Sequence, residues 1–267
     1  MENKISIIGA GNIGLSIAEG LVKSKKYQTH NILLSRRDKK YLKKYSDRGF
    51  IITDDNKDAV IFSNTIIIAV GPRQLKSLSE SISNKLTERH LIISVVSGIS
   101  IDKISSILNT DAQIVRAMPN TASSICESMT CISSDTANTK AISDTESIFK
   151  LVGRTLIIKE EKLIAATSLG ACGIAFFLRA VRAASQGGIE IGFHSDEAFL
   201  IAAQTAKGAS ALVLNKSTHP ESEIDNVTTP RGATISGLNE MEHQGFSSAM
   251  IKGIITSTKK INTLLDE

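Results

Sequence analysis

The chain has no tryptophan, only four prolines and three cysteines in 267 residues, and aromatic side chains make up 4% of it. The three thiols, Cys126, Cys131 and Cys172, are an odd number without CxxC spacing, which argues against a disulfide framework or a zinc site. They read as small packed hydrophobes. The five histidines show no metal-ligand spacing either, so no metal is expected. With few aromatics and a net charge of only +4 spread along the chain, neither a stacking platform nor a nucleic-acid footprint is present. An anionic small molecule fits that balance. No apolar run approaches the roughly 18 residues of a membrane span. The opening "MENKISIIGAG" leads straight into a strand pattern rather than a signal peptide. A cytoplasmic globular protein is expected, without nucleic-acid or membrane partners.

What is present divides into two grammars. Up to residue 159 short apolar runs, "KISIIG", "NILLS", "NTIIIAV", "HLIISVVSG", "QIVRAM" and "RTLIIK", alternate with helical or polar stretches. Runs such as Ile66 to Val70 lack the polar alternation of a half-exposed strand. They predict parallel strands covered by helices on both faces, an α/β domain over residues 1–159. From 160 to 267 apolar and small residues recur at helical spacing, predicting an all-helical domain with helices over Leu163 to Leu214, from about Thr234, and from about Ser247 to Leu264. In the last, Met250, Ile254, Ile261 and Leu265 share a face. Pairs such as Ala165-Ala166, Ala183-Ala184 and Gly187-Gly188 permit close helix approach and suggest an interlocked homodimer.

One motif is specific. Gly9-Ala10-Gly11-Asn12-Ile13-Gly14 follows an apolar strand and opens a helical pattern. In that context Gly9 makes the tight turn, Gly11 admits a pyrophosphate to the backbone, and Gly14 lets helix pack on strand. The uncapped helix start supplies N–H groups and positive potential. A Rossmann-type doubly wound parallel sheet with a bound dinucleotide follows. The tip of the second strand reads Ser35-Arg36-Arg37, with no acid to hold an NAD ribose and two guanidiniums suited to the extra phosphate of NADP. NADP(H) is preferred, and NAD(H) stays open because Asp38 lies one step further on.

These pieces, with "IIIAVGPRQL", "ISVVSGIS", "VRAMPNTASSICESMT", "AAQTAKGA" and "VTTPRGATISGLNEMEHQGF", resemble the pyrroline-5-carboxylate reductase family over nearly the whole chain. The resemblance implies an oxidoreductase acting on a CH–NH group, which reduces 1-pyrroline-5-carboxylate to L-proline with NAD(P)H. It also implies a C-terminal helical dimerisation domain, and a homodimer or a larger assembly of dimers such as a decamer. It places Ser35, Arg36 and Arg37 at the adenosine ribose and its phosphate, and Asn56 at the cofactor. Ala69, Val70, Gly71 and Pro72, then Ser97 and Gly98, fall along the dinucleotide. Met118, Pro119, Asn120 and Thr121 match the loop beside nicotinamide and substrate, while Asn226, Ala233 and Thr234 match positions at the cofactor and the substrate ring.

The chain also departs from the family pattern. Gly71 and Arg73 stand where the family has Lys and Gln, Ala122 replaces a proline, and "GACGIAF" (170–176) replaces "SGSGPAY". Arg231 stands where the family's "TSPGGTT" has glycine.

The implied chemistry asks for an aligned hydride donor and a polar group at the imine nitrogen. Thr234 is the expected catalytic hydroxyl, able to accept from an iminium N–H or donate to a neutral nitrogen. In "TTPRGAT", Thr229 reads as a helix N-cap and Pro230 as the first helical residue. The N–H groups of Arg231, Gly232 and Ala233 would then be free for the substrate carboxylate. Met118 and Asn120 complete the expected substrate site. Arg231 has three readings: carboxylate partner, contact to the cofactor phosphates, or a solvent-facing residue whose backbone alone matters. Glu160 and Glu161 read as a solvated helix-start pair. Two alternatives to the main activity remain, reduction of another cyclic imino acid and a non-catalytic NADP-binding regulatory role.

Overall fold

A computed structural model describes residues 4–263 of the chain. Two compact units emerge, one running up to Cys172 and resuming at Ser257, the other comprising Gly173–Thr256. The contact boundary falls after Cys172, because residues 160–172 pack against strands of the first unit.

Among the described residues the first unit is built on eight strands, β1 (Ile5–Ile8), β2 (Ile32–Ser35), β3 (Ile51–Thr53), β4 (Thr65–Ile68), β5 (Leu91–Ser94), β6 (Gln113–Met118), β7 (Ser128–Ser133) and β8 (Gly153–Ile157). They lie side by side in the order β3-β2-β1-β4-β5-β6-β7-β8. All pairs from β3 to β6 are parallel, β7 is antiparallel to β6, and β8 is parallel to β7. The sheet grows outward from β1 in both directions. That is the doubly wound order, and its switch point lies between β1 and β4.

Among the described residues up to Cys172 this unit carries the helices α1 (Asn12–Lys23), α2 (Lys43–Ser46), α3 (Asn56–Phe62), α4 (Leu75–Ile82), α5 (Ile101–Leu108), α6 (Thr139–Lys150) and α7 (Leu163–Ala166). Successive strand residues alternate between two cores. Ile5, Ile7, Leu34, Ile67, Ile93 and Val115 pack with α1 and α6, whereas Ile8, Leu33, Ile66, Ile68, Ile92 and Ile114 pack with α3, α4 and α5. Burial on both faces explains why these strands carry uninterrupted apolar runs. β3 and β7 fell outside the strands expected from sequence. β3 is three residues long, and β7 hides its alternation behind the buried hydroxyls of Ser128, Thr130 and Ser133.

The second unit contains α8 (Gly173–Glu190), α9 (Ser195–Lys216), α10 (Pro220–Val227), α11 (Ala233–His243) and most of α12 (Phe246–Thr263). The expected helical stretch from Leu163 to Leu214 is broken at Gly192, whose φ of +111° ends α8. The two helices then pack closely, since a Cβ on Gly188 would sit 3.0 Å from that of Ala198. On α12, Ile261 is buried and Met250 and Ile254 are half-buried; Leu265 lies outside the described residues. Phe177, Leu178, Phe199, Leu200 and Ile251 stay exposed on the single chain, an apolar surface of the kind that marks an association face.

Segment Glu160–Glu190 is long and apolar enough, by composition, to cross a membrane, with 17% of its apolar window buried. This corrects the expectation that no apolar stretch reaches that length, because small residues between Leu163, Leu169 and Phe176 keep the segment apolar.

Candidate functional site

The glycine-rich turn opens the carboxyl end of the sheet. Gly9 follows β1 at φ +94°, and a Cβ there would lie 2.5 Å from the Ala69 carbonyl oxygen after β4. Only glycine relieves both constraints. The N–H groups of Gly9 and Ala10 donate to the Ser35 carbonyl at 3.0 and 2.9 Å, locking the turn to the end of β2. At Gly14 a Cβ would meet the Gly9 oxygen at 2.6 Å, so helix and strand approach closely there. Gly11 is different: nothing lies within 4 Å of a Cβ built on it. It is the N-cap of α1, offers no side-chain cap, and the first turn of α1 carries no acid. The N–H groups of Asn12, Ile13 and Gly14 are therefore left without a cap, beside the open space that Gly11 borders.

That space is a cavity of about 710 Å³. Gly9, Ala10, Gly11, Ser35, Arg36, Arg37, Asn56, Ala69, Val70 and Gly71 line it, ten of the expected cofactor residues brought together by the ends of β1, β2 and β4. Tyr41, Gln74, Ser77 and Ser81 join them, contributions that the sequence reading missed. Asn12, Ile13, Gly14, Pro72, Ser97 and Gly98 are not in its wall. Pro72 opens the short helical turn before α4, and Ser97 and Gly98 follow β5, with Gly98 at φ +79°.

The two arginines are not equivalent. Arg36 is committed, its Nη1 donating to the Ala10 carbonyl at 3.2 Å and its guanidinium lying 4.5 Å from the Tyr41 ring centroid. Arg37 is exposed and makes no hydrogen bond or ion pair among the described residues. Asp38 accepts from the Lys40 N–H at 3.0 Å as the cap of the next helical turn. Ser35 Oγ donates to Asn56 Oδ1 at 2.6 Å. A glycine cradle open at Gly11, an uncapped helix start and a free guanidinium fit a phosphorylated dinucleotide.

Met118 and Asn120 sit at and just after the end of β6, both buried. Asn120 is fully engaged: its N–H donates to Ser128 Oγ at 3.0 Å, Oδ1 accepts from the Ala122 N–H at 3.0 Å, and Nδ2 donates to the Gly170 carbonyl at 3.1 Å. Its side chain shapes the loop. Gly170 belongs to a π-helical turn, Thr167–Cys172, in the segment where the chain departs from the family pattern. Glu160 is not a solvated residue. Its Oε1 accepts from Arg116 Nη1 and from the Ile101 N–H, each at 2.8 Å, because the start of the 160–172 segment abuts β6 and α5.

In the second unit the helix start expected at Thr229 lies at Ala233, with Gly232 as N-cap. Arg231 takes φ +60°, a left-handed conformation that a right-handed helix cannot include. Thr229 to Gly232 form a turn closed by the Gly232 N–H on the Thr229 carbonyl at 2.9 Å. Pro at the second position with positive φ at the third is the type II pattern. The Gly232 N–H is thus engaged, and the open donors of α11 are those of Ala233, Thr234 and Ile235. Thr234 is exposed and its hydroxyl makes no hydrogen bond among the described residues, whereas Ser236 Oγ donates to the Gly232 carbonyl at 3.2 Å. The Arg231 side chain is exposed and unpaired among those residues. Asn226, exposed on α10, is one of the groups holding the Glu223 carboxyl below its usual range, after Thr218 and Lys216.

Residues 160–264 match the family model for pyrroline-5-carboxylate reductase dimerisation, and residues 4–98 match that for NADP oxidoreductase, coenzyme F420-dependent. Pyrroline-5-carboxylate reductase 1 of Dictyostelium discoideum is 50% identical over 98% of the chain, and the chain spans about half of that protein's length. Pyrroline-5-carboxylate reductase 2 of the same organism is 48% identical, covering 97% of this chain and 92% of the relative. The fold is shared with the crystal structure of Plasmodium falciparum pyrroline carboxylate reductase with NADP bound, at a TM-score of 0.89 and 23% identity over 98% of each chain.

Proposed function

Because the chain belongs to the pyrroline-5-carboxylate reductase family, we propose that it reduces 1-pyrroline-5-carboxylate to L-proline with NADPH as the preferred cofactor. The observation that carries the reading is the glycine turn open at Gly11 onto a cavity walled by Arg36 and Arg37. Bound there, the reduced nicotinamide supplies a hydride to the carbon of the ring C=N bond, and the nitrogen ends protonated.

The chain's own residues hold and orient. The N–H groups that open α1 receive the pyrophosphate, Ser35 and Asn56 the adenosine ribose, and Arg37 the additional phosphate. Ala69 to Pro72, with Ser97 and Gly98, border the rest of the dinucleotide. The loop from Met118 to Asn120 bounds the substrate side, and Asn226 is assigned to the cofactor. At α11 the Thr234 hydroxyl meets the imine nitrogen, accepting from the iminium or donating to the neutral form. The open N–H groups from Ala233 onward, with Gly232 permitting approach and Arg231 beside them, receive the carboxylate. An iminium accepts hydride more readily than a neutral imine. The chain's main contribution is therefore alignment.

The domain division that serves this reading is residues 1–159 for the dinucleotide and 160–267 for substrate and dimerisation. We assign the protein a homodimeric form, with a decamer built of dimers as the larger assembly, and a cytoplasmic location. The match of residues 160–264 to a dimerisation family and the exposed apolar side chains of α8, α9 and α12 support self-association. Thr234→Ala tests the catalytic assignment: kcat should fall by about tenfold to a hundredfold with NADPH affinity unchanged. Unchanged kinetics would return Thr234 to the helix.

A further inference from the structure

Arg116, on β6, is almost fully buried, and its guanidinium is only partly satisfied. Nη1 donates to Glu160 Oε1 at 2.8 Å, while Nε and Nη2 are buried without a hydrogen bond among the described residues. Ser133, its register partner on β7, likewise buries an unpaired hydroxyl. A buried cation with unsatisfied donors is costly, and an apolar residue of similar volume commonly packs there with equal or greater stability. Stability alone does not account for Arg116.

Its connections do. Arg116 precedes Met118 on β6 and Asn120 in the loop that follows it, and Glu160 opens the segment that carries Gly170. Two links therefore join the β6 end to that segment, Arg116 to Glu160 and Asn120 Nδ2 to the Gly170 carbonyl. Glu160 Oε1 also takes the Ile101 N–H, fixing the start of α5 to the same point. We propose that Arg116 is a positioning residue: through Glu160 it holds the Met118–Asn120 loop where the imine is reduced, a role that rests on the reductase reading above. The cofactor cavity, on β1, β2 and β4, has no part in this link.

The test compares the full-length parent with Arg116→Met, Arg116→Lys and Glu160→Gln. Three quantities are measured: NADPH Kd without imine, kcat and KM for pyrroline-5-carboxylate, and amide hydrogen exchange. We expect NADPH Kd within about twofold of the parent, and kcat/KM for the imine lowered on the order of tenfold in Arg116→Met and Glu160→Gln, with Arg116→Lys recovering part of it. Exchange should quicken at the amides of Asn120, Ala122 and Ile101 and stay unchanged on β1 and β2. Parent-like kcat/KM in variants that bind NADPH normally would overturn the proposal. So would NADPH affinity and turnover falling together with melting temperature, the mark of a merely structural pair. If Arg116→Met does not fold, Arg116→Lys and Glu160→Gln decide. If the parent turns over no imine, the reductase reading fails, and the exchange pattern still decides whether Arg116 holds the loop through Glu160: unchanged protection at Asn120 and Ala122 means that it does not.

Discussion

The N–H of Gly232 donates to the carbonyl of Thr229 at 2.9 Å, closing a turn in which Arg231 is held at φ +60°. A side chain in the left-handed region costs about 1–2 kcal/mol. Glycine would relieve that cost, offset by about 0.4–1 kcal/mol lost to its greater freedom in the unfolded chain. Arg231→Gly should therefore raise stability by about 0.5–1 kcal/mol, near 2 °C in Tm for a chain of this size. Thermal melting checks it; a fall in Tm would mean that the Arg231 side chain makes stabilising contacts in the assembled protein.

The two glycines flanking the start of α1 should separate folding from binding. Gly11 has φ −93° and open space around its Cβ position, so Gly11→Val should melt within a few degrees of the parent while losing NADPH affinity by at least tenfold. Gly14→Val drives a side chain into the Gly9 carbonyl and should lower Tm as well. Equal melting losses in both variants would remove the distinction.

Arg37 is the free guanidinium of the cavity wall and Arg36 the committed one, which assigns them different losses. Arg37→Ala should weaken NADPH by about tenfold to a hundredfold and leave NADH little changed, the effect of one or two charge-assisted hydrogen bonds. Arg36→Ala should weaken both cofactors together, since it removes a tie to the Ala10 carbonyl. Titrating each variant with both cofactors reads the split; loss of discrimination in Arg36→Ala alone would reverse the assignment.

How much of this was legible depends on how local each signal is. The Gly9 to Gly14 turn and the apolar runs of β1, β4 and β5 carry their own reasons, positive φ, close approach and two-sided burial, within a few residues. β7 did not announce itself, because its buried positions hold hydroxyls. The Thr-Pro pair before Arg231 serves equally as a helix cap or as the first half of a type II turn, and only the φ of Arg231 separates the two. Arg116 and Glu160 are 44 residues apart, and nothing in either neighbourhood signals the other. Asn120 was placed in the site by resemblance, but its three internal hydrogen bonds make it a shaper of the loop.

The central claim is tested most directly by following NADPH absorbance at neutral pH with pyrroline-5-carboxylate, alongside NADH and a six-membered cyclic imino acid. NADPH should be oxidised by the five-membered substrate, with a kcat/KM several-fold or more above that with NADH, and proline should be the product. Oxidation of neither cofactor by any imino acid would contradict the reductase reading, and a clear preference for NADH would contradict the role given to Arg37.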